Sequence, residues 1–312
     1  AHGMNNIAVL GPNPAWQKTL FFDRFAYGKI NRAKEMQQFP AGKGINFCRA
    51  AACHSRAVGR LVQFTGGENG DRIQTELARE GMSVFSVRTG GATRCCTTCL
   101  CRETGTMTEV IEPSYPADPA EVKMLLDYFE DALDDSGAAA FCGTLPTGTD
   151  PGLYARAAAT VLEQKKPLLL DSYQNLQPVF ESGVEIWLKI NVEELQAMTG
   201  EKTVEAGLAN VFRSSGVRFA AITDGPGKAY ASDGKKLCVY TIPHLDNVVN
   251  PIGCGDTASA VWASELLNGN DPFDSFRLAL AAASANCLSA FPGSFSPSDA
   301  DAIARRIEFS EA

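Results

Sequence analysis

The chain lacks any apolar run near the roughly 20 residues that a membrane-spanning helix needs, so no membrane span is expected. It also lacks a surplus of basic charge: 28 Lys and Arg stand against 36 Asp and Glu, a net charge of −8. That balance gives no general attraction to nucleic acid or to an anionic membrane, and neither is expected as a partner. A negatively charged ligand would need basic residues placed locally. Internal repeats, low-complexity tracts and Pro- or Ser-rich linkers are missing too, and nothing in the pattern divides residues 1–312 into more than one domain. No secretory signal precedes the ten cysteines, which are scattered through apolar or strand-like runs. This argues against a disulfide scaffold and for a reducing, cytoplasmic setting. The exception is Cys95-Cys96-Thr-Thr-Cys99-Leu-Cys101. In a strand Cys95, Cys99 and Cys101 share one face and Cys96 the other, an awkward arrangement for tetrahedral capture of zinc by this segment alone.

What the chain does have is apolar content and rhythm. With 45% hydrophobic residues it can bury a substantial core and should fold alone. Short β-rich runs at residues 7–10, 58–65, 138–142, 167–171, 186–190 and 219–223 alternate with helical patterns at 45–55, 72–80, 151–164 and 192–199. Such alternation predicts an α/β fold with a mainly parallel sheet covered by helices on both faces, and ligands bound outside the carboxyl ends of the strands. Two stretches break the rhythm. Residues 19–25 with 33–39, and 93–102 with 106–112 around a turn at Glu103-Thr-Gly105, read as inserted β-pairs. Together they would make a small sheet over the strand ends, a lid from segments at about 14–40 and 92–113 that would keep water from a ligand beneath it.

The segment Asn250-Pro-Ile-Gly-Cys-Gly-Asp-Thr257 carries the most chemistry. Two glycines and an aspartate open a helix of small residues from Ala258, and a helix start offers unpaired N–H groups and the positive end of a dipole to a phosphate. Three readings are open. A dinucleotide fingerprint would follow a strand near the start of a βαβ unit and place its acid about 20 residues on, whereas Glu265 comes too early. An ordinary Gly-rich turn with Asp in the first helical turn is the plain reading. The third is phosphoryl transfer: Asp256 would repel a phosphate that merely binds, and so suits a group that orients, or takes a proton from, a nucleophile attacking it.

Gly253-Cys-Gly255-Asp256 resembles the Gly-Ala-Gly-Asp signature of the ribokinase-like (PfkB) carbohydrate kinases, and Pro40-Ala-Gly-Lys-Gly-Ile-Asn46 resembles the N-terminal Gly-Gly-Lys-Gly-x-Asn signature. Asn13-Pro-Ala15, Gly28-Lys-Ile-Asn-Arg32, Thr93-Arg94, Gly105-Thr-Met-Thr-Glu109, Gly143-Thr-Leu-Pro146, Lys189-Ile-Asn191-Val-Glu-Glu194 and Thr223-Asp-Gly225-Pro-Gly227 follow in the order of the branch containing 1-phosphofructokinase and tagatose-6-phosphate kinase. The resemblance spans nearly the whole chain. It implies a three-layer α/β/α fold with a small β-sheet lid, and ATP-dependent phosphoryl transfer to a hydroxyl of a small sugar, in this branch a ketohexose phosphate.

The same resemblance implies roles. Asp256 would be the catalytic base, with N–H groups around Gly253, Cys254 and Gly255 stabilising the transferring group. Asn191 and Glu194 would help hold Mg²⁺, mostly through water, although the pair reads equally well as a helix cap. Lys189, Asn191, Thr223, Gly225, Gly227 and Asn286 would lie along ATP. Asn13, Gln17, Gly42, Lys43 and Asn46 would meet the sugar, and Lys29, Arg32, Lys43 and Arg94 are the local cations for a substrate phosphate. Several positions depart from the family. Gln17 stands where the branch has an Asp that binds sugar hydroxyls, and so lacks the charge-assisted hydrogen bonds of a carboxylate. Cys254, Ala41 and Ile190 replace Ala, Gly and Pro. These differences leave open an unphosphorylated sugar or nucleoside as acceptor, or a protein that binds sugar or nucleotide without turnover. A homodimer formed through the lid sheet is a further expectation.

Overall fold

The computed structural model describes residues 5–172, 176–213 and 216–312. The first half of the chain contains β1 (Asn6–Leu10), β2 (Ala15–Phe22), β3 (Glu35–Ala41), α1 (Lys43–His54), β4 (Val58–Thr65), α2 (Gly67–Arg79) and β5 (Ser83–Arg88). It continues through β6 (Cys95–Cys101), β7 (Met107–Ile111), α3 (Pro119–Asp134), β8 (Ala138–Cys142) and α4 (Leu153–Glu163). Next come β9 (Leu168–Asp171), α5 (Gln177–Phe180), β10 (Ile186–Asn191), α6 (Val192–Thr199), α7 (Val204–Phe212) and β11 (Val217–Asp224). The chain ends with β12 (Lys228–Ser232), β13 (Leu237–Thr241), α8 (Cys254–Leu267), α9 (Pro272–Asn286), α10 (Pro297–Ala304) and β14 (Glu308–Glu311).

The strands build a 10-stranded sheet in the order β14-β13-β12-β11-β10-β9-β8-β1-β4-β5. It is parallel from β11 to β5 and antiparallel beyond β11. Parallel strands buried on both faces read as continuous apolar runs, and every residue of β8 and β9 is buried. Alternate residues serve opposite layers. Ile7 and Val9 join a core with α1, α2, α8, α9 and α10, while Ala8 and Leu10 join a second core with α3, α4, α6 and α7. The result is the expected three-layer α/β/α arrangement. Among the described residues no helix is long and apolar enough to cross a membrane.

The two inserted β-pairs form as read from the sequence, β2 antiparallel to β3 and β6 antiparallel to β7. They are joined by a parallel β2–β6 ladder into a separate 4-stranded sheet, order β3-β2-β6-β7. This ladder extends the first strand back to Ala15, because Trp16 pairs with Cys95 and its N–H donates to Arg94 O at 3.0 Å. The hairpin geometry places the β2–β3 connection, residues 23–34, at the end of the ladder away from the Ala15–Ala41 pair. Gly42 alone separates the last residue of β3 from the first of α1.

Candidate active site

The parallel strands deliver chemistry at their carboxyl ends. Asn13 follows β1, Gly143 and Thr144 follow β8, Asp171 ends β9, Lys189 and Asn191 close β10, and Thr223 lies beside Asn191 on β11. Two helices start at the same place with glycine at the N-cap and no capping side chain: α1 after Gly42 and α8 after Gly253. Helices α2 and α4 also begin after glycines without a side-chain cap, Gly66 and Gly152, whereas α3, α6, α7, α9 and α10 are capped by Asp118, Asn191, Thr203, Asp271 and Ser296. Leaving α1 and α8 uncapped keeps their first N–H groups and dipole ends available to an anion. Glycine is needed on contact grounds as well. Gly253 has φ 83°, and a Cβ there would stand 2.5 Å from Pro292 Cβ. Gly11 and Gly44 pack so closely that a Cβ on either would lie under 3 Å from the other's Cα.

The two helix starts meet across one carboxylate. Asp256, only 7% exposed, accepts hydrogen bonds from Lys43 Nζ on Oδ1 and from Asn46 Nδ2 on Oδ2, both at 3.0 Å. Lys43 also faces Asp171 Oδ2 at 3.5 Å. Asp171 first and then Asp256 hold the Lys43 ammonium well above its ordinary range, against the pull of burial. Burial works to raise the Asp171 carboxyl, but Lys189, Lys43 and a 2.9 Å bond from Ser259 Oγ outweigh it and keep it low. Lys189 Nζ lies 3.9 Å from Asp171 and donates to Gly255 O at 2.7 Å, tying β10 to the first turn of α8. Asn46 Oδ1 is buried and has no hydrogen-bond partner.

Beside Lys43 opens a cavity of about 90 Å³, lined by Gly11, Asn13, Gly42, Lys43, Arg94 and Thr144 among others. Arg94 Nη2 donates to Asn13 O at 3.0 Å, and Asn13 Nδ2 points to Ser114 Oγ and Thr144 Oγ1, each at 3.4 Å. Asn13, Gly42, Lys43 and Arg94 line this cavity, and Lys43 joins it to Asp256 and Asn46. Gln17, Lys29 and Arg32 lie elsewhere. Gln17 is buried in the small sheet and donates to Thr98 Oγ1 at 2.7 Å and to Lys18 O at 3.1 Å. Lys29 is exposed in the β2–β3 connection, at the far end of a ladder that measures about 20 Å at roughly 3.3 Å per residue.

The residues expected along the nucleotide lie at the ends of β10 and β11, apart from Asn286 on α9. Asn191 and Glu194 form a reciprocal capping box, Asn191 Oδ1 accepting from Glu194 N–H at 2.8 Å and Glu194 Oε1 from Asn191 N–H at 3.0 Å. Glu194 Oε2 remains available from this cap. The oxygen set suits an ion bound largely through water and phosphate. Among the described residues no group of three or more His, Cys, Asp or Glu is placed to hold a metal, Cys95–Cys101 included. Gly225, at φ 67°, and Gly227 form an exposed turn with open space around them. Asn286 requires a correction: it is 0% exposed and all its bonds point inward. Its Oδ1 accepts from Thr257 Oγ1 at 2.8 Å and Gly293 N–H at 3.0 Å, and its Nδ2 donates to Phe291 O and Ser294 O, both at 3.0 Å. It therefore fastens the 291–294 turn to α8 and has no polar atom left for a nucleotide.

Two residues of the network carry no sequence signal of their own. Asp171 reads as the end of an apolar strand, and Arg49 as one basic residue of a helix. Yet Arg49 donates to Pro292 O at 2.9 Å and Pro40 O at 3.0 Å while pairing with both oxygens of Glu80. It braces the turn behind Gly253 against the approach to Gly42.

Comparison with known proteins places these features in context. A family model described as pfkB family carbohydrate kinase matches residues 9–299. Similar solved structures include phosphofructokinase-2 from Escherichia coli in complex with substrates and products, with TM-score 0.86 and 20% identity over 96% of this chain and 99% of that one. A Thermotoga maritima protein described as a possible 1-phosphofructokinase superposes with TM-score 0.85 at 17% identity, covering 98% of this chain and 99% of its own. Ribokinase from Thermotoga maritima matches with TM-score 0.75 at 19% identity over 96% of this chain and 99% of that chain.

Proposed function

Because the chain belongs to the pfkB family of carbohydrate kinases and is an ATP-dependent sugar kinase, we propose that it phosphorylates a ketohexose phosphate in the cleft between Arg94 and Asp256. One observation carries this reading: a buried carboxylate is held by Lys43 and Asn46 where two uncapped helix starts converge. In this reading Asn46 Oδ1, which has no partner, receives a sugar hydroxyl, and Asp256 accepts the proton of the hydroxyl that attacks the γ-phosphate. The N–H groups at the start of α8 and the Lys43 ammonium stabilise charge on the transferring group. Lys189 keeps those N–H groups aimed by holding Gly255 O. Arg94, fixed by Asn13 O, grips the phosphate already on the acceptor. Mg²⁺, when bound with ATP near Asn191 and Glu194, would neutralise phosphate charge. Thr223, Gly225 and Gly227 form the open ledge along which the nucleotide lies.

The small sheet acts in this proposal as a lid over the cleft. Lys29 and Arg32 cannot join the phosphate site of their own chain from the hairpin tip. A homodimer through the lid sheets would bring such a tip to a neighbouring cleft. Exposed Tyr27, Ile30, Met36, Val110 and Ile111 on and beside that sheet supply apolar surface for it.

A second reading has its own observation. Gln17 is engaged with Thr98 and Lys18 inside the small sheet, so the acceptor loses the carboxylate that the branch normally offers. This favours an acceptor other than the usual ketohexose phosphate, an unphosphorylated sugar or nucleoside included. ADP release from ATP and Mg²⁺ across a panel of hexoses, hexose phosphates and nucleosides decides between them. A rate dependent on sugar phosphate that falls by about 10²–10⁴-fold in Asp256→Asn supports the first reading. A nucleoside- or hexose-dependent rate supports the second. Nucleotide binding without transfer to any acceptor would instead mark a binding protein and refute both.

A further inference from the structure

The chain crosses from the small sheet back to the main one through residues 112–118, between β7 and α3. Both ends of this crossing are tied down. Glu112 Oε1 accepts from Cys95 N–H at 2.9 Å and Glu112 N–H donates to Cys95 O at 3.3 Å, while Ala117 N–H donates to Thr149 Oγ1 at 3.0 Å. Between them Tyr115 lies against Gly91, where a Cβ would stand 2.4 Å from Tyr115 Cβ. Ser114 is thereby held, half-buried, beside Asn13. The Asn13 amide is shared by two hydroxyls: Ser114 Oγ and Thr144 Oγ1 each accept from Nδ2 at 3.4 Å. Both contacts are at the long limit of a hydrogen bond, and the Ser114 hydroxyl donates to no acceptor among the described residues.

Ser114 lines a recess of about 20 Å³, room for one water-sized oxygen. Asn13, Pro14 and Arg94 line both this recess and the 90 Å³ cavity beside Lys43, so the two spaces adjoin. Among the described residues no carboxylate lines either space, and Arg94 and Lys43 are the only charged residues that do. The combined surface is one that an anion can enter without meeting a like charge.

We propose that Ser114 is a binding residue for the phosphate already on the acceptor, and that its hydroxyl sets the preference for a phosphorylated sugar. The inference rests on the reading of the cleft between Arg94 and Asp256 as the acceptor site. A phosphate group is too large for the recess, so it occupies the cavity and directs one oxygen into the recess, between Arg94 and Ser114. Arg94, anchored through Nη2 on Asn13 O, supplies the charge. Ser114, whose oxygen accepts from Asn13, supplies an O–H to the oxygen in the recess. The crossing holds Ser114 in place before any ligand arrives, and this lowers the ordering cost of binding. An unphosphorylated sugar leaves the recess without an anion, and the hydroxyl then gains no charge-assisted bond. Ser114 therefore separates the two classes of acceptor by charge, a task that Lys29 and Arg32 cannot perform from the far end of their own ladder.

The test is calorimetric titration, without nucleotide, of fructose, fructose 1-phosphate, fructose 6-phosphate and tagatose 6-phosphate into the wild type, Ser114→Ala, Ser114→Thr and Ser114→Asp. Steady-state kinetics run beside it. In Ser114→Ala, Kd and KM for the phosphorylated sugar should rise about tenfold, the loss of one hydrogen bond to a charged group, while KM for ATP stays nearly constant. Ser114→Thr, which keeps the hydroxyl, should recover most of that loss. Ser114→Asp brings a carboxylate to the recess and should abolish sugar-phosphate binding in a protein that remains folded by circular dichroism. Sugar-phosphate binding as tight in Ser114→Ala as in the wild type, an equal loss toward fructose, or no binding of any sugar phosphate by the wild type would overturn the proposal. Binding needs no transfer. A chain that takes sugar phosphate through Ser114 and yet releases no ADP speaks against the kinase reading of the cleft and leaves the Ser114 contact standing.

Discussion

Helix α8 is bracketed by two left-handed glycines, Gly253 at φ 83° before it and Gly269 at φ 79° after it. Alanine at either position must adopt a backbone conformation that costs about 1–2 kcal/mol for an L-residue. The surroundings differ. A Cβ at Gly269 meets nothing within 4 Å, whereas at Gly253 it would stand 2.5 Å from Pro292 Cβ and 2.9 Å from Pro292 Cα. Pro292 cannot give way freely, because its carbonyl is held by Arg49 at 2.9 Å. Overpacking of this kind adds about 1–3 kcal/mol, so Gly253→Ala should lose roughly 2–5 kcal/mol in total. Urea titrations of the two variants beside the wild type measure the difference directly. Steady-state kinetics add the functional arm: Gly269→Ala should keep kcat, while Gly253→Ala, by shifting the N–H groups next to Asp256, should lose about 10²-fold. Equal stability losses, or an unchanged kcat in Gly253→Ala, would refute the argument that this glycine is required by contact with Pro292.

Arg94→Ala should raise KM for the phosphorylated acceptor about tenfold or more, the loss of a charge-assisted contact, and leave KM for ATP nearly constant; equal effects on both would point to general disruption of the Asn13 turn. Asn286→Ala leaves Thr257 Oγ1 and Gly293 N–H without their shared acceptor in a buried site, so chemical denaturation should show a loss of about 2–4 kcal/mol. Asp171, whose carboxyl is held low by Lys189 and Lys43, contributes stability that is present above the ordinary Asp range near about 3.9 and disappears as pH falls through its depressed value. The stability gap between wild type and Asp171→Asn should therefore be full near neutrality and shrink in acid; a gap independent of pH would remove Asp171 from that charge network.

Much of the scaffold was legible because buried parallel strands and amphipathic helices leave periodic traces. The expected span 192–199 matches α6, and 58–65 and 138–142 match β4 and β8. Helix α3 is absent from that reading, although Asp118 with Pro119 and Glu121 is a start signal of the usual kind. The antiparallel end formed by β12, β13 and β14 is harder to read, since short strands with mixed exposure carry little periodic signal. In the site, motif residues such as Lys43, Asn46 and Asp256 could be named from the sequence, but their contact spans more than two hundred residues and is a product of the fold. Asn286 shows the opposite limit. Its motif position was visible, whereas its four inward hydrogen bonds depend on a turn that only tertiary structure brings close.

Gly42 is the sole joint between β3 and α1, and its φ of 123° makes it a joint that other residues fill poorly. On one side lies the small sheet, and on the other Lys43 and Asn46, which grip the two oxygens of Asp256. The small sheet thus reaches α1 through one residue, and in the proposed lid reading a shift of β3 would be passed directly to Lys43 and Asn46 and so to the alignment of Asp256.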